Sequence, residues 1–80
     1  MFKHVKTAKY ISDYKIWVDF NDGVSGPIDL YDKISGKNGV FEPLKDINYF
    51  KTFSIVNDTL SWDNGADLAP ESLYSLLNKH

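Results

Sequence analysis

The sequence has no cysteine and no arginine. The first absence excludes a disulfide framework, thiolate metal sites and a cysteine nucleophile. The second removes the planar fork that reads guanine and clamps phosphate. Together with a net charge of −2, it argues against nucleic-acid binding by this chain alone. Long apolar runs are missing too, so no segment is expected to span a membrane. The opening residues Met1-Phe2-Lys3-His4-Val5 lack the apolar stretch of a secretory signal, and the expected compartment is the cytoplasm.

What is present is an aromatic load: two tryptophans, five tyrosines and five phenylalanines in 80 residues. A chain of this length forms one domain, residues 1–80, with one core, and buries roughly 60% of its unfolded surface. Aromatic packing is expected to supply the stability that staples would otherwise give. Charge is uneven. Residues 1–20 hold Lys3, Lys6, Lys9 and Lys15 against Asp13 and Asp19, while the rest of the chain is acidic.

Periodicity gives the elements. Lys3 to Ile11 reads as a strand closed by the turn pair Ser12-Asp13. Tyr14 to Phe20 alternates cleanly, with Tyr14, Ile16, Val18 and Phe20 inward and Lys15, Trp17 and Asp19 outward. Asp22-Gly23 is a tight-hairpin signal. Val24 to Leu30 follows as a third strand with Val24, Ile28 and Leu30 on one side. Pro27, which lacks an N–H, makes it an edge strand or a broken one. Tyr31 to Gly39 reads as irregular. Phe41 to Phe50 reads as one short helix opened by Pro43, from the spacing of Leu44, Ile47 and Phe50. Phe53–Val56 and Thr59–Trp62 form a second hairpin about Asn57-Asp58. A helix runs from Pro70 to about Asn78, with Leu73, Leu76 and Leu77 on its apolar face and Glu71 and Lys79 suiting the helix dipole. The expected fold class is α+β: a small antiparallel sheet of about five strands, in the order β-β-β-α-β-β-α, with two short helices on one face.

Three stretches carry a family resemblance. They are Val18-Asp19-Phe20-Asn21-Asp22-Gly23; Gly39-Val40-Phe41-Glu42-Pro43-Leu44-Lys45-Asp46 with Phe50 downstream; and Leu60 through Tyr74. The last is the most specific, because a tryptophan, an Asn-Gly turn, an aspartate and a Pro-x-x-Leu-Tyr helix start coincide there. In this order and spacing they resemble the bacterial domain of unknown function 2442 family, over nearly the whole chain. Family members often have a proline between the tryptophan and the asparagine, where this chain has Asp63. The resemblance implies a small α+β fold and no established enzymatic activity. Some relatives join the domain to a helix-turn-helix, and others look like one half of a toxin–antitoxin pair. No helix-turn-helix is read in this chain.

No catalytic constellation is read from the residues. His4 and His80 lie near opposite ends without partners at ligand spacing. Asp19, Asp22, Asp29 and Asp32 do not follow the calcium-loop pattern, and Asp22 is explained by its turn. Asp63, Asp67 and Glu71 cluster near Trp62, but Asp67 reads as a turn or cap residue and Glu71 as a dipole partner. Nucleophile-elbow, Walker and Rossmann patterns are absent. No metal, cofactor or catalytic residue is therefore expected. The expectation is a non-enzymatic module that binds another protein, as the antitoxin-like or inhibitory member of a pair, with room for a homo-oligomer. The alternative is a nucleic-acid-associated transcriptional regulator acting with a partner chain. The candidate contact residues are Lys15, Trp17, Asp19 and Pro27. Trp17 admits two readings: an aromatic anchor for a partner, or a ring covered by the C-terminal helix or an N-terminal residue. The Pro27 edge could also accept another chain's strand.

Overall fold

A computed structural model describes residues 4–36 and 38–77. The expected strand start at Lys3, the helix end at Asn78, the helix-dipole role of Lys79, and His80 lie outside these residues. Strands β1 (Val5–Ser12), β2 (Lys15–Phe20) and β3 (Ser25–Asp29) form an antiparallel sheet in the order β1-β2-β3. The period-2 pattern of β2 does what it promised: Ile16, Val18 and Phe20 are buried, and Lys15 and Trp17 are exposed. The β2–β3 turn is built by Asp22 and Gly23. The Asp22 carboxylate accepts the Val24 N–H at 3.0 Å. Gly23 sits at φ +85°, where a side chain is strained. Val24 belongs to this turn and is exposed, so only Ile28 and Leu30 of its expected trio enter the core.

The remaining strands, β4 (Ser54–Val56) and β5 (Thr59–Ser61), form a separate two-stranded sheet. Asn57 and Asp58, at φ +53° and +67°, give the turn the positive dihedrals of a type I′ hairpin. Five strands are present, but they do not make one sheet. The register of β1 is interrupted between Val5 and Thr7 and again between Tyr10 and Ser12. Both strands of the second hairpin lie near β1, but they do not pair with it. Among the described residues one backbone bond crosses, from Val5 N–H to Asp58 O at 2.8 Å. His4 Nδ1 lies 3.0 Å from the Asp58 carboxylate beside it.

Two helical segments differ from expectation. Tyr31–Ser35 is a short helix, α1, rather than irregular. Asp29 accepts the Tyr31 N–H at 2.9 Å and starts the turn, and Ile34 anchors it in the core. The stretch read as one helix divides into a 3₁₀ segment, Gly39–Lys45, and α2, Ile47–Phe50. Asp46 causes the break. Its backbone is extended, and its side chain caps α2 by accepting the Asn48 N–H at 3.0 Å.

Helix α3 (Pro70–Leu77) buries Leu73 and packs on the inner face of β3. The approach is close: a methyl group at Gly26 would lie 3.0 Å from Leu77 Cδ2. Phe50 is fully buried and organises the aromatic core. Its ring centroid lies 5.3 Å from Tyr14, 6.3 Å from Tyr10 and 5.8 Å from Trp62. Among the described residues, no helix is long and apolar enough to cross a membrane.

Candidate protein-interaction face

Because α3 and the aromatic core cover one side of the three-stranded sheet, the other side is bare. Pairing aligns its outward residues in three rows. Thr7, Asp19 and Ser25 form the first, Lys9, Trp17 and Pro27 the second, and Ser12, Lys15 and Asp29 the third. All four residues singled out from the sequence thus stand on this one face. Trp17 is central and 41% exposed, so neither the C-terminal helix nor the described N-terminal residues cover it. Along β2, Lys15 and Asp19 each lie about 7 Å from it, one on each side.

The face is partly organised. The Thr7 hydroxyl donates to Asp19 Oδ2 at 2.6 Å, and the Trp17 indole N–H reaches Asp19 Oδ1 at a long 3.4 Å. The Thr7 hydrogen bond outweighs the opposing effect of burial. With help from Trp17, Ser25 and Lys6 it holds the Asp19 carboxyl below its usual pKa. Asp19 is therefore charged at neutral pH, and its contact with the indole favours one ring orientation.

Pro27 is at the sheet edge, as its chemistry requires. Phe20 N–H bonds to Val24 O and Leu30 N–H to Tyr14 O, so by alternation residues 24, 26, 28 and 30 face β2. Ser25, Pro27 and Asp29 then aim their backbone groups at the free edge. An incoming strand would find no donor at Pro27, which disfavours strand addition there. The proline ring instead extends the apolar surface beside Trp17, its cross-strand neighbour.

Two other carboxylates have local partners. Asp22 accepts the Tyr74 hydroxyl at 3.0 Å as well as its turn amide. Asp63 accepts the Tyr49 hydroxyl at 2.5 Å, a bond that raises the phenol's pKa above its ordinary value. Asp67 does not cap α3. It forms an isolated backbone bridge with Ser61, and the turn amide of Ala66 is taken by Asn64 Oδ1 at 3.0 Å.

The three family stretches meet through these contacts. Tyr74, whose ring packs edge-on against Phe20 at 5.0 Å, ties the last stretch to Asp22 in the first. Asn64 Nδ2 donates to Val40 O at 2.8 Å, tying the last to the second. The Trp62 indole N–H donates to Phe50 O at 3.0 Å inside the core. Asp63 ties this same turn to Tyr49. These contacts hold the three stretches together in space.

One family model, that of a protein of unknown function, DUF2442, matches residues 5–78. No curated protein and no solved structure matches the chain. On the strength of the match across nearly its full length, the chain is a member of the DUF2442 family.

Proposed function

We propose that this chain is a non-enzymatic module that binds another protein through the outer face of its three-stranded sheet, as the inhibitory or antitoxin-like member of a pair. One observation carries the reading: Trp17 stands 41% exposed at the centre of a face whose other outward residues are polar apart from Pro27. Tryptophan is enriched among residues that dominate binding energy, and leaving one in water is costly unless something covers it. Its neighbours suit a contact centre. Lys15 and Asp19 flank it with opposite charges that would fix a partner's register, and Pro27 adds rigid apolar surface. The rows are too small to be a complete interface, since a stable one takes about 20–30 residues a side. The partner would extend past β1 or β3.

The test compares the wild type with Trp17→Ala as bait in native lysate, alongside a urea melt of each. The expected result is one protein retained in near-stoichiometric amount by the wild type and lost by the variant, with the melts nearly coincident. Equal retention by both baits would remove the face from consideration, and retention of nothing would remove the binding role.

A further inference from the structure

We propose that the cleft beside Tyr14 and Tyr31 receives an arginine side chain from a partner protein. The site begins with the turn after β1. Asp13 at φ +47° reverses the chain, and Tyr14 follows with its ring against Phe50 and its hydroxyl donated to Lys45 O. Tyr31 opens α1, its amide fixed by Asp29 Oδ1 at 2.9 Å. The two rings stand 5.6 Å apart, tilted by 55°. They line an open cleft of about 400 Å³ with Asp13, Lys15, Asp29 and Ile47. A second cleft of about 280 Å³, on Ile34, Ser35 and Lys45, shares both tyrosines. Tyr31 is 54% exposed, an aromatic ring held in place without being covered.

The chemistry of the lining selects the occupant. Neither Asp13 nor the second carboxylate oxygen of Asp29 makes a hydrogen bond among the described residues. Lys15 is the opposing charge on that side, while Lys45 is taken up by Glu42 at 3.1 Å. An anion would meet two carboxylates. An apolar group would strip water from them without return. A guanidinium satisfies both demands, because it stacks flat on tyrosine and donates in a fork to carboxylate, while its methylene stem lies along Ile47. The chain has no arginine of its own, so the occupant comes from another protein, and the net charge of −2 favours approach of a basic one. The site does not depend on the role given to Trp17, and its test uses a defined peptide rather than a lysate.

The experiment is an NMR titration of the labelled full chain with acetyl-Gly-Arg-Gly-amide and with its neutral citrulline counterpart. The arginine peptide should shift the amides of Asp13, Tyr14, Asp29 and Tyr31 saturably, with a dissociation constant on the order of millimolar. The citrulline peptide should bind at least about threefold more weakly, as should the arginine peptide to Asp13→Asn and to Tyr31→Leu. Asparagine accepts the backbone at position 13, so that variant tests the charge even if Tyr31→Leu disturbs the fold. Lys15→Gln should tighten binding. Linear shifts, equal effects of both peptides, or unchanged affinity in Asp13→Asn would overturn the proposal.

Discussion

The two faces of β2 come from one alternating segment and have opposite fates. Inward, Ile16, Val18 and Phe20 are essentially sealed from water, and outward, Trp17 remains 41% exposed. The difference arises in what the rest of the chain does. Helix α3, the 3₁₀ segment and the Phe50 cluster all fall on the inner side, and no described element crosses the outer one. A strand's pattern therefore tells which side each residue takes, but only tertiary structure tells whether that side is covered.

Substitutions can break or sharpen this contrast. The largest effect belongs to the inner side: Phe50→Ala should cost about 3–5 kcal/mol in a urea melt, by opening a cavity among Tyr10, Tyr14 and Trp62. Trp62→Phe should cost about 2 kcal/mol, because the buried Phe50 carbonyl loses its indole donor. A midpoint within error of wild type would show the family tryptophan to be dispensable to the core. Gly23→Val should cost about 1–2 kcal/mol, since φ +85° at that turn sets the register of both faces at once. Trp17→Ala should cost about 0.5–1 kcal/mol, the worth of its cross-strand pairs with Lys9 and Pro27. A loss as large as that of Phe50→Ala would mean that the outer face is closed.

The smallest effect is electrostatic. The folded-state pKa of Asp19 lies below the ordinary aspartate value of 3.8. Its contribution is therefore present above that value and fades as pH falls through the lower folded-state value. Acid titration of stability should be slightly shallower in Thr7→Val, which removes the donor named first among the causes. Identical acid limbs for variant and wild type would show the Thr7 bond to be absent in solution.

Much of this architecture is legible in the sequence. The alternation in β2, the Asp22-Gly23 turn and the α3 stripe are local signals, and each appears within a residue or two of its expected place. What was missed was short or non-local. Helix α1 has five residues and one fully buried anchor, too little for a period to emerge. Asp46 looked like one more helical residue, although an Asp before Ile-Asn is also a cap signal that could have divided the segment. The partition into two sheets and the bulges in β1 are non-local features that leave no mark in the pattern. Lys15, Trp17 and Asp19 could be placed together because they share a strand. The Tyr14–Tyr31 cleft could not, because it needs a turn and a helix to meet across 17 positions of sequence.

Among the described residues one backbone bond, from Val5 to Asp58, joins the second hairpin to β1, and this has a consequence for hydrogen exchange. A continuous five-stranded ladder would open as one cooperative unit. Here the β4–β5 hairpin, with β4 exposed along its whole length, is fastened to its neighbour by its turn and to the core by Leu60 and Trp62. Its ladder is separate from that of β1, β2 and β3, so its amides are expected to exchange with deuterated solvent through a lower free-energy opening than those of β2. The candidate face lies on the three-stranded sheet, whose ladder an opening of the hairpin would leave paired.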